Sequence, residues 1–399
     1  MVYSAINNPN GLTILSWAKN PEDEAMKQAY NVASHPSAVL RVVLCPDCHA
    51  GYGVPIGTVL ATKYAVIPNA VGVDVGCSMS AGKTNINADN VLTEDLKRIL
   101  GGSKEYPGGI ISRIPTGMSH HKKDVDSPLF EDTRWQDADR YPICSAELDS
   151  VKKQLGTLGG GNHFIELQKG DDGYLWYMVH SGSRNLGYKV CNYYNKIAED
   201  YCTMFRQDKV VKDQLAFLPR GLKEYNQYID EMKLCMDFAQ ENHKVMDNII
   251  EDEILKVFPN MEITERIHTR HNYAELENFG KLAVMVHRKG AVLARRGMKC
   301  IIPGSQGTAS YIVEGLGNED SFCSASHGSG RVMSRTKARQ ELSLEKEQAR
   351  MKGVVHNMNS ANKLDEAPSA YKDIEEVISL ESDLVKPLVR LTPLAVIKG

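Results

Sequence analysis

The sequence predicts an α+β fold, and three observations predict it. Short β-branched runs punctuated by glycine occur toward both ends of the chain, a block of helical periodicity lies between them, and no internal repeat or linker divides the whole. The 399 residues therefore read as a single compact mixed-sheet domain, residues 1–399, with a mostly helical insertion at about 188–258.

Residues 37–87 hold AVLRVVLC, GTVLATKYAVI and AVGVDVGCSMSAGKT, runs rich in valine, alanine and threonine with glycines between them, which read as strands and hairpins. From Lys104 to Asp139 the chain is polar, includes His120, His121, Lys122 and Lys123, and reads as loop. HFIELQ and YLWYMVHSG flank KGDDG, so a hairpin closes around an Asp-Asp-Gly turn. Between Tyr188 and Phe258 the period changes. Leu222, Tyr225, Ile229, Met232, Met236 and Ala239 recur at steps of three and four, the spacing of one helical face. KLAVMVHR, KCIIPGSQ and ASYIVEGL return to strand character, TKARQELSLEKEQARMKG reads as one helix, and VRLTPLAVIKG closes the chain as a strand.

Composition narrows the function. A chain that is 42% hydrophobic and 24% charged can bury a sizeable core. Its formal net charge of −3 excludes a protein that coats nucleic acid by bulk electrostatics, so an anionic substrate would have to meet local basic runs such as Arg288–Lys299 and Arg331–Arg339. The N-terminus lacks a basic segment followed by an apolar one, and no run is long enough to span a bilayer; a cytoplasmic location without a membrane partner is expected. Nine cysteines, an odd number at irregular spacings, fit free thiols in a reducing compartment. CPDCH, Cys45 to His49, matches a c-type haem attachment pattern, a redox dithiol or half a zinc site. With no second pair at ligand spacing and a reducing compartment, the two thiols read better as small semi-buried residues beside Asp47 and His49.

Four histidines share a setting at the end of an apolar strand next to glycine: His163 in LGGGNHFIE, His180 in WYMVHSGSR, His287 in AVMVHRKGA and His327 in SASHGSGR. Asp74 and Cys77 in AVGVDVGCS have the same character. A strand holds a side chain rigidly, and glycine lets a ligand approach the backbone. One such histidine is usually a hydrogen-bonded core residue. Several together, with a carboxylate and a thiol, point to a divalent transition metal, zinc or iron by ligand softness, with manganese less expected on that ground.

AVGVDVGC, LGGGNHFIE, HSGSR, VHRKGA, PGSQGTAS, ASHGSGR and the terminal VIKG, in that order, resemble the RtcB family of RNA ligases over nearly the whole chain. In that family the segment holding Cys45 and Cys48 is a P-D-x-H-x-G-x-G element, which puts Asp47 and His49 in supporting places and the two thiols at variable ones. The resemblance implies GTP- and Mn²⁺-dependent joining of an RNA end bearing a 3′-phosphate or 2′,3′-cyclic phosphate to one bearing a 5′-hydroxyl, in RNA repair or tRNA splicing. It implies that His327 takes GMP from GTP, that Asp74, Cys77 and His163 hold one Mn²⁺, and that Cys77, His180 and His287 hold a second. It further implies a guanylate pocket of Asn162, His163, Phe164, Ile165, Glu166, His287, Arg288, Pro303, Gly304, Ser305, Gln306, Ser310, His327, Gly328, Ser329, Gly330 and Lys398, and an archease-like activator as a partner. HTRHN departs from the paired histidine of the family, so no role is carried over to His268 or His271.

The residues are compatible with those roles. A 3′-phosphate is a poor electrophile until it gains a leaving group, which a guanylate passed on from His327 would supply. Arg184 and Arg331 each follow a site histidine by four residues, and Arg335 would lie one turn beyond Arg331 on a helix, so these three are expected to grip RNA phosphates. A metal-dependent phosphohydrolase or nuclease, or an inactive RNA-binding relative, are the alternatives. The first has no task for PGSQGTAS or Lys398, and the second none for a complete donor set.

Overall fold

A computed structural model describes residues 2–9, 11–358 and 360–399. The fold is α+β, with two large sheets. One has six strands in the order Ser4–Ile6, Ile14–Ser16, Ala38–His49, Ile56–Thr62, Leu282–Lys289 and Asn272–Phe279, antiparallel except where Ile14–Ser16 runs parallel to Ala38–His49. The other has seven antiparallel strands in the order Ile263–Arg270, Ser78–Asn87, Tyr174–Ser181, Phe164–Gly170, Val385–Lys398, Ser310–Gly315 and Lys299–Ile302. His271 alone separates the edge strand of one sheet from the edge strand of the other. The sheets thus meet at a histidine.

The expected hairpin forms, Phe164–Gly170 against Tyr174–Ser181, with Phe164 opposite His180. The C-terminal strand also forms and lies in the interior of its sheet. Its Pro393 sits where the pairing register shifts, which is where a residue without an N–H can be tolerated in a central strand.

The helical block forms as Asn185–Met204, the short Asp208–Lys212 and the 35-residue Lys223–Val257. At 1.5 Å per residue the last is about 52 Å long. Its buried stripe of Tyr228, Met232, Cys235, Ala239, Met246, Ile250 and Ile254 keeps the helical period. That length lets one helix serve two cores: Tyr228, Met232 and Phe238 pack with Val42, Leu44 and Leu60 of the six-stranded sheet, and Met246, Ile250 and Ile254 with Ile165, Leu167 and Val179 of the seven-stranded one.

Two element readings need correction. AVGVDV is not strand: Pro68 starts a single helical turn, Pro68–Val71, and Gly72 and Gly76, at φ +95° and +76°, turn the chain before the strand resumes at Ser78. Valine content outweighed the proline and glycine signals. TKARQELSLEKEQARMKG is two helices, Arg335–Glu341 and Leu344–Arg350. The break lets Leu342 and Leu344 both pack on the cluster of Met351, Met358 and Leu364, which side chains two apart on one helix could not do.

Candidate active site

The short strand Ser324–Ser326 delivers His327 into a turn packed on Asp47. Gly330, at φ +72°, comes so close that a Cβ there would lie 2.1 Å from the Asp47 carbonyl oxygen. Asp47 is fully buried, and its Oδ2 lies 2.7 Å from His327 Nδ1 and accepts the His327 backbone N–H at 3.2 Å. With a carboxylate facing Nδ1, that nitrogen carries the proton and Nε2 keeps a free lone pair. His49 Nδ1 lies 2.9 Å from the Asp47 carbonyl oxygen, a bond that turns its ring back on the same segment.

Beside His327, with ring centroids 4.9 Å apart, stands His271. Its backbone N–H donates to Cys77 O at 3.1 Å, the Asn272 side chain donates to Asp74 O, and Gly76 N–H donates to Asn272 O, so the sheet corner and the DVGC turn are tied together. This gathers two overlapping donor groups, Asp74, Cys77 and His163, and Cys77, His180 and His271, the ligand atoms of each lying within 4.8 Å of one another. Cys77 Sγ lies 3.5 Å from His163 Nε2 and 3.3 Å from His180 Nε2, and His180 Nε2 lies 3.3 Å from His271 Nε2.

The donors fit a cation. His163 Nδ1 faces the Leu158 carbonyl at 3.0 Å and so holds the proton, which leaves Nε2 presenting a lone pair to Asp74 Oδ2 at 3.0 Å and to the Cys77 sulfur. A carboxylate oxygen, a sulfur and an imidazole nitrogen thus converge, the donor set of a divalent transition metal. Burial, reinforced by neighbouring histidines, holds His180 and His271 neutral, well below the usual imidazole range, so both can ligate. Burial and the adjacent Asp74 push the Cys77 thiol up, which a metal would reverse by displacing its proton.

His287, expected as a ligand and as a nucleotide contact, belongs to neither group. It lies inside the strand Leu282–Lys289, where Ile67 N–H donates to its Nε2 at 3.0 Å and its Nδ1 faces Leu60 O at 3.3 Å, so both ring nitrogens are spent on backbone. His271 stands in its place. The rule of a strand end beside glycine missed it because ITERIHTR is polar along its exposed face and no glycine follows. His268 remains apart from the cluster, edge-on to His243.

An open cleft of about 520 Å³ lies beside His327, lined by His180 of the donor cluster and by twelve residues expected there: Asn162, Phe164, Glu166, Pro303, Gly304, Ser305, Gln306, His327, Gly328, Ser329, Gly330 and Lys398. Period-two alternation explains one exception. Phe164 and Glu166 face the cleft, while Ile165 points to the opposite face and into the core. Arg288 is also excluded, being fully buried, paired with Glu277 and donating to Ser324 Oγ and Phe322 O. Ser310 lies beneath the floor, where its hydroxyl accepts the Gly304 N–H at 3.1 Å and a Gln168 N–H at 3.2 Å. His163 belongs to the donor cluster rather than the cleft lining. Glu366 and Tyr371 line the cleft and carry no sequence signal beyond their charge and hydroxyl.

The arginines are placed differently from expectation. Helix Arg335–Glu341 starts at Arg335, so Arg331 precedes it; both bond to Glu366 Oε1, at 3.1 and 2.9 Å, instead of forming a row one turn apart. Arg184, at φ +58°, lies against Gly159 with its Nε donating to Thr157 Oγ1, and its Nη1 lies 3.3 Å from His163 Nδ1. It sits behind the donor cluster.

Cys45 and Cys48 lie on opposite faces of their strand, Cys45 among Trp17, Val59 and Val284, Cys48 among Val42, Val54 and Leu60. All nine cysteines are free thiols. Cys45→Ala and Cys48→Ala should each cost only about 1 kcal/mol of packing. Denaturant unfolding would check the cost, and absorption spectra of wild type and double variant should be free of any haem signal.

Fold and site together define an α+β enzyme with a cleft-mounted histidine beside a metal-type donor cluster. The family model described as "tRNA-splicing ligase RtcB" matches residues 28–399, and the chain belongs to the RtcB family. It is 35% identical to the RNA-splicing ligase RtcB of Escherichia coli K12 over the full length of both proteins. It is 30% identical to the tRNA-splicing ligase RtcB of Archaeoglobus fulgidus, covering 95% of this chain and 92% of that protein, and 31% identical to the RNA-splicing ligase RtcB of Mycobacterium bovis, covering 93% and 100%. No helix among the described residues is long and apolar enough to cross a membrane.

Proposed function

We propose that this chain, an RNA ligase by family, joins an RNA 3′-phosphate or 2′,3′-cyclic phosphate end to a 5′-hydroxyl end, using GTP and Mn²⁺, through a guanylate carried on His327. The observation that carries the reading is the setting of His327, with Nδ1 held by buried Asp47, Nε2 free, and a cleft in front of it that reaches the donor cluster at His180. Site residues run from Asp47 to Lys398, so the whole chain acts as one ligase domain.

His327 Nε2 attacks the α-phosphorus of GTP; an N–P bond forms, the bond to the β-phosphate oxygen breaks, and pyrophosphate leaves. Asp47 faces the positive charge that the imidazole gains. An oxygen of the RNA 3′-phosphate next attacks the same phosphorus, the N–P bond breaks, and His327 recovers its lone pair. The 5′-hydroxyl oxygen then attacks the RNA phosphorus, GMP departs, and the hydroxyl proton passes to solvent. A cyclic phosphate must first be opened by water to the 3′-phosphate. Asp74, Cys77 and His163 would hold one divalent ion and Cys77, His180 and His271 another, supplying charge neutralisation for the phosphates and activation of the hydroxyl. A phosphohydrolase would leave the cleft and His327 without a task.

Glu166 would read the base. Guanine offers N1–H and an amino group to a carboxylate, whereas adenine offers a lone pair at N1. Burial pushes the Glu166 carboxyl up to about 8, with Lys398 and Gln168 opposing, so at neutral pH the free protein holds it mostly protonated. Since guanine needs the ionised form, GTP affinity should rise as pH climbs toward 8 and then level off. Titrations of GTP binding between pH 6 and 9 would check this, and Glu166→Gln should flatten the profile. The function itself is tested by supplying RNA ends of each chemistry. Joining of 3′-phosphate to 5′-hydroxyl that requires GTP supports the reading; joining only of 3′-hydroxyl to 5′-phosphate, or hydrolysis alone, contradicts it.

A further inference from the structure

A second, open cleft of about 870 Å³ adjoins the first and shares His327, Asn162 and Tyr371 with it; His49, Arg331 and Arg335 are among its other walls. His327 therefore stands between two spaces. Within the dividing wall, and bordering the first cleft, lies Glu366, only 3% exposed, at the end of the short turn Ala361–Glu366. Its Oε1 accepts from Arg331 Nη1 at 3.1 Å and Arg335 Nε at 2.9 Å, its Oε2 accepts from the Tyr371 hydroxyl and lies 3.5 Å from Lys398 Nζ, and its backbone oxygen accepts from the Gln306 side chain at 2.7 Å. One carboxylate thus gathers a residue from the nucleotide cleft, Lys398, two from the adjoining cleft, Arg331 and Arg335, and one from both, Tyr371.

Three cations, Arg331, Arg335 and Lys398, converge on this carboxylate, with Asp365 also near Arg335 and Glu166 also near Lys398. Cations so placed would favour phosphates on either side. Burial alone would raise the Glu366 carboxyl, but Lys398, Arg335, the Tyr371 hydroxyl and Arg331 together bring it down to about 2, and it remains the counter-ion throughout the working range.

We propose that Glu366 is a positioning residue of the ligase, aiming Lys398 into the nucleotide cleft and Arg331 and Arg335 toward the cleft on the far side of His327, where the RNA 3′-phosphate end would enter. The inference rests on the proposed guanylate chemistry and adds a residue that no motif marked. Without the carboxylate, three neighbouring cations repel one another and lose their shared partner, although Arg331 keeps bonds to Met333 O and Asp365 O and Lys398 keeps one to Asn162 O, so both substrates would meet misaligned cations at once.

The test uses the full chain with α-labelled GTP and a short RNA ending in a 3′-phosphate. Glu366→Gln keeps the shape and removes the charge. It is expected to raise the GTP concentration for half-maximal labelling of the protein, and the RNA concentration for half-maximal transfer of that label, by about tenfold or more each. The maximal labelling rate should stay within a few-fold, because Glu366 touches neither His327 nor the donor cluster. A purely structural role would instead lower the folded fraction and the maximal rates without moving either concentration. A shift in one substrate alone, or in neither, would overturn the proposal. Glu366→Asp keeps the charge on a shorter arm and should shift both concentrations by a smaller factor; should Glu366→Gln fail to fold, unchanged concentrations in Glu366→Asp would overturn it equally. A wild type that takes no label would overturn the functional reading, whereas a labelled wild type with an unshifted variant would overturn this inference alone.

Discussion

His327→Ala is expected to lose transfer of guanylate to the protein by at least roughly 10³-fold, because the residue supplies the bond-forming nitrogen and no neighbour can replace it. Its Nδ1 is committed to Asp47, which fixes the tautomer and aims Nε2. His271, with its ring 4.9 Å away, is turned into the donor cluster, its Nε2 lying 3.3 Å from that of His180. Metal binding should survive the change, since His327 belongs to neither donor group. Calorimetric titration with Mn²⁺ alongside the labelling assay separates the two functions. Retained labelling would return His327 to a structural place in a glycine turn.

The second large effect belongs to Cys77. Its sulfur is common to both donor groups, so Cys77→Ser should weaken binding at both sites, and by more than the roughly 10–100-fold typical of losing a supporting partner. Serine keeps the size but brings a hydroxyl that ionises far less readily than a thiol. His163→Ala or His271→Ala removes a donor from one group only and should leave the other site measurable. His287→Ala should spare both sites, because its nitrogens are engaged by Ile67 and Leu60. Binding should also strengthen with pH. The thiol is held protonated by burial and by Asp74, and the first ion bound must displace that one proton, so apparent affinity at the first site rises as pH rises. Two sites of unchanged affinity in Cys77→Ser would make the residue an ordinary buried thiol.

Much of this was legible in the residues, and what was not has physical reasons. The hairpin carrying His163 and His180 was marked by alternation and an Asp-Asp-Gly turn, and the first half of the long helix by Tyr225, Ile229, Met232, Met236 and Ala239 at steps of three and four. Local signals sufficed because both elements are stabilised by neighbours in sequence. His271 and His287 show the opposite case. His271 stands between two strands and His287 lies within one, and only the meeting of the two sheets decides which one reaches Cys77 and which is spent on backbone. Strand parity separated Glu166 from Ile165, a distinction present in the alternation of HFIELQ once the cleft face is known. Glu366 lay in an irregular turn, and its importance comes from nearby Tyr371 and three side chains from distant segments, Arg331, Arg335 and Lys398, that converge on it, which no spacing could reveal.

The measurement that bears most directly on the account is the chemistry of the protein–nucleotide bond. The wild-type protein is incubated with Mn²⁺ and α-labelled GTP, denatured, and divided between acid and alkali before peptide mapping. A phosphoramidate on histidine is lost in acid and stable in alkali, and the label should travel with the peptide holding His327. A label stable in acid, a label on any other peptide, or no label at all would contradict it.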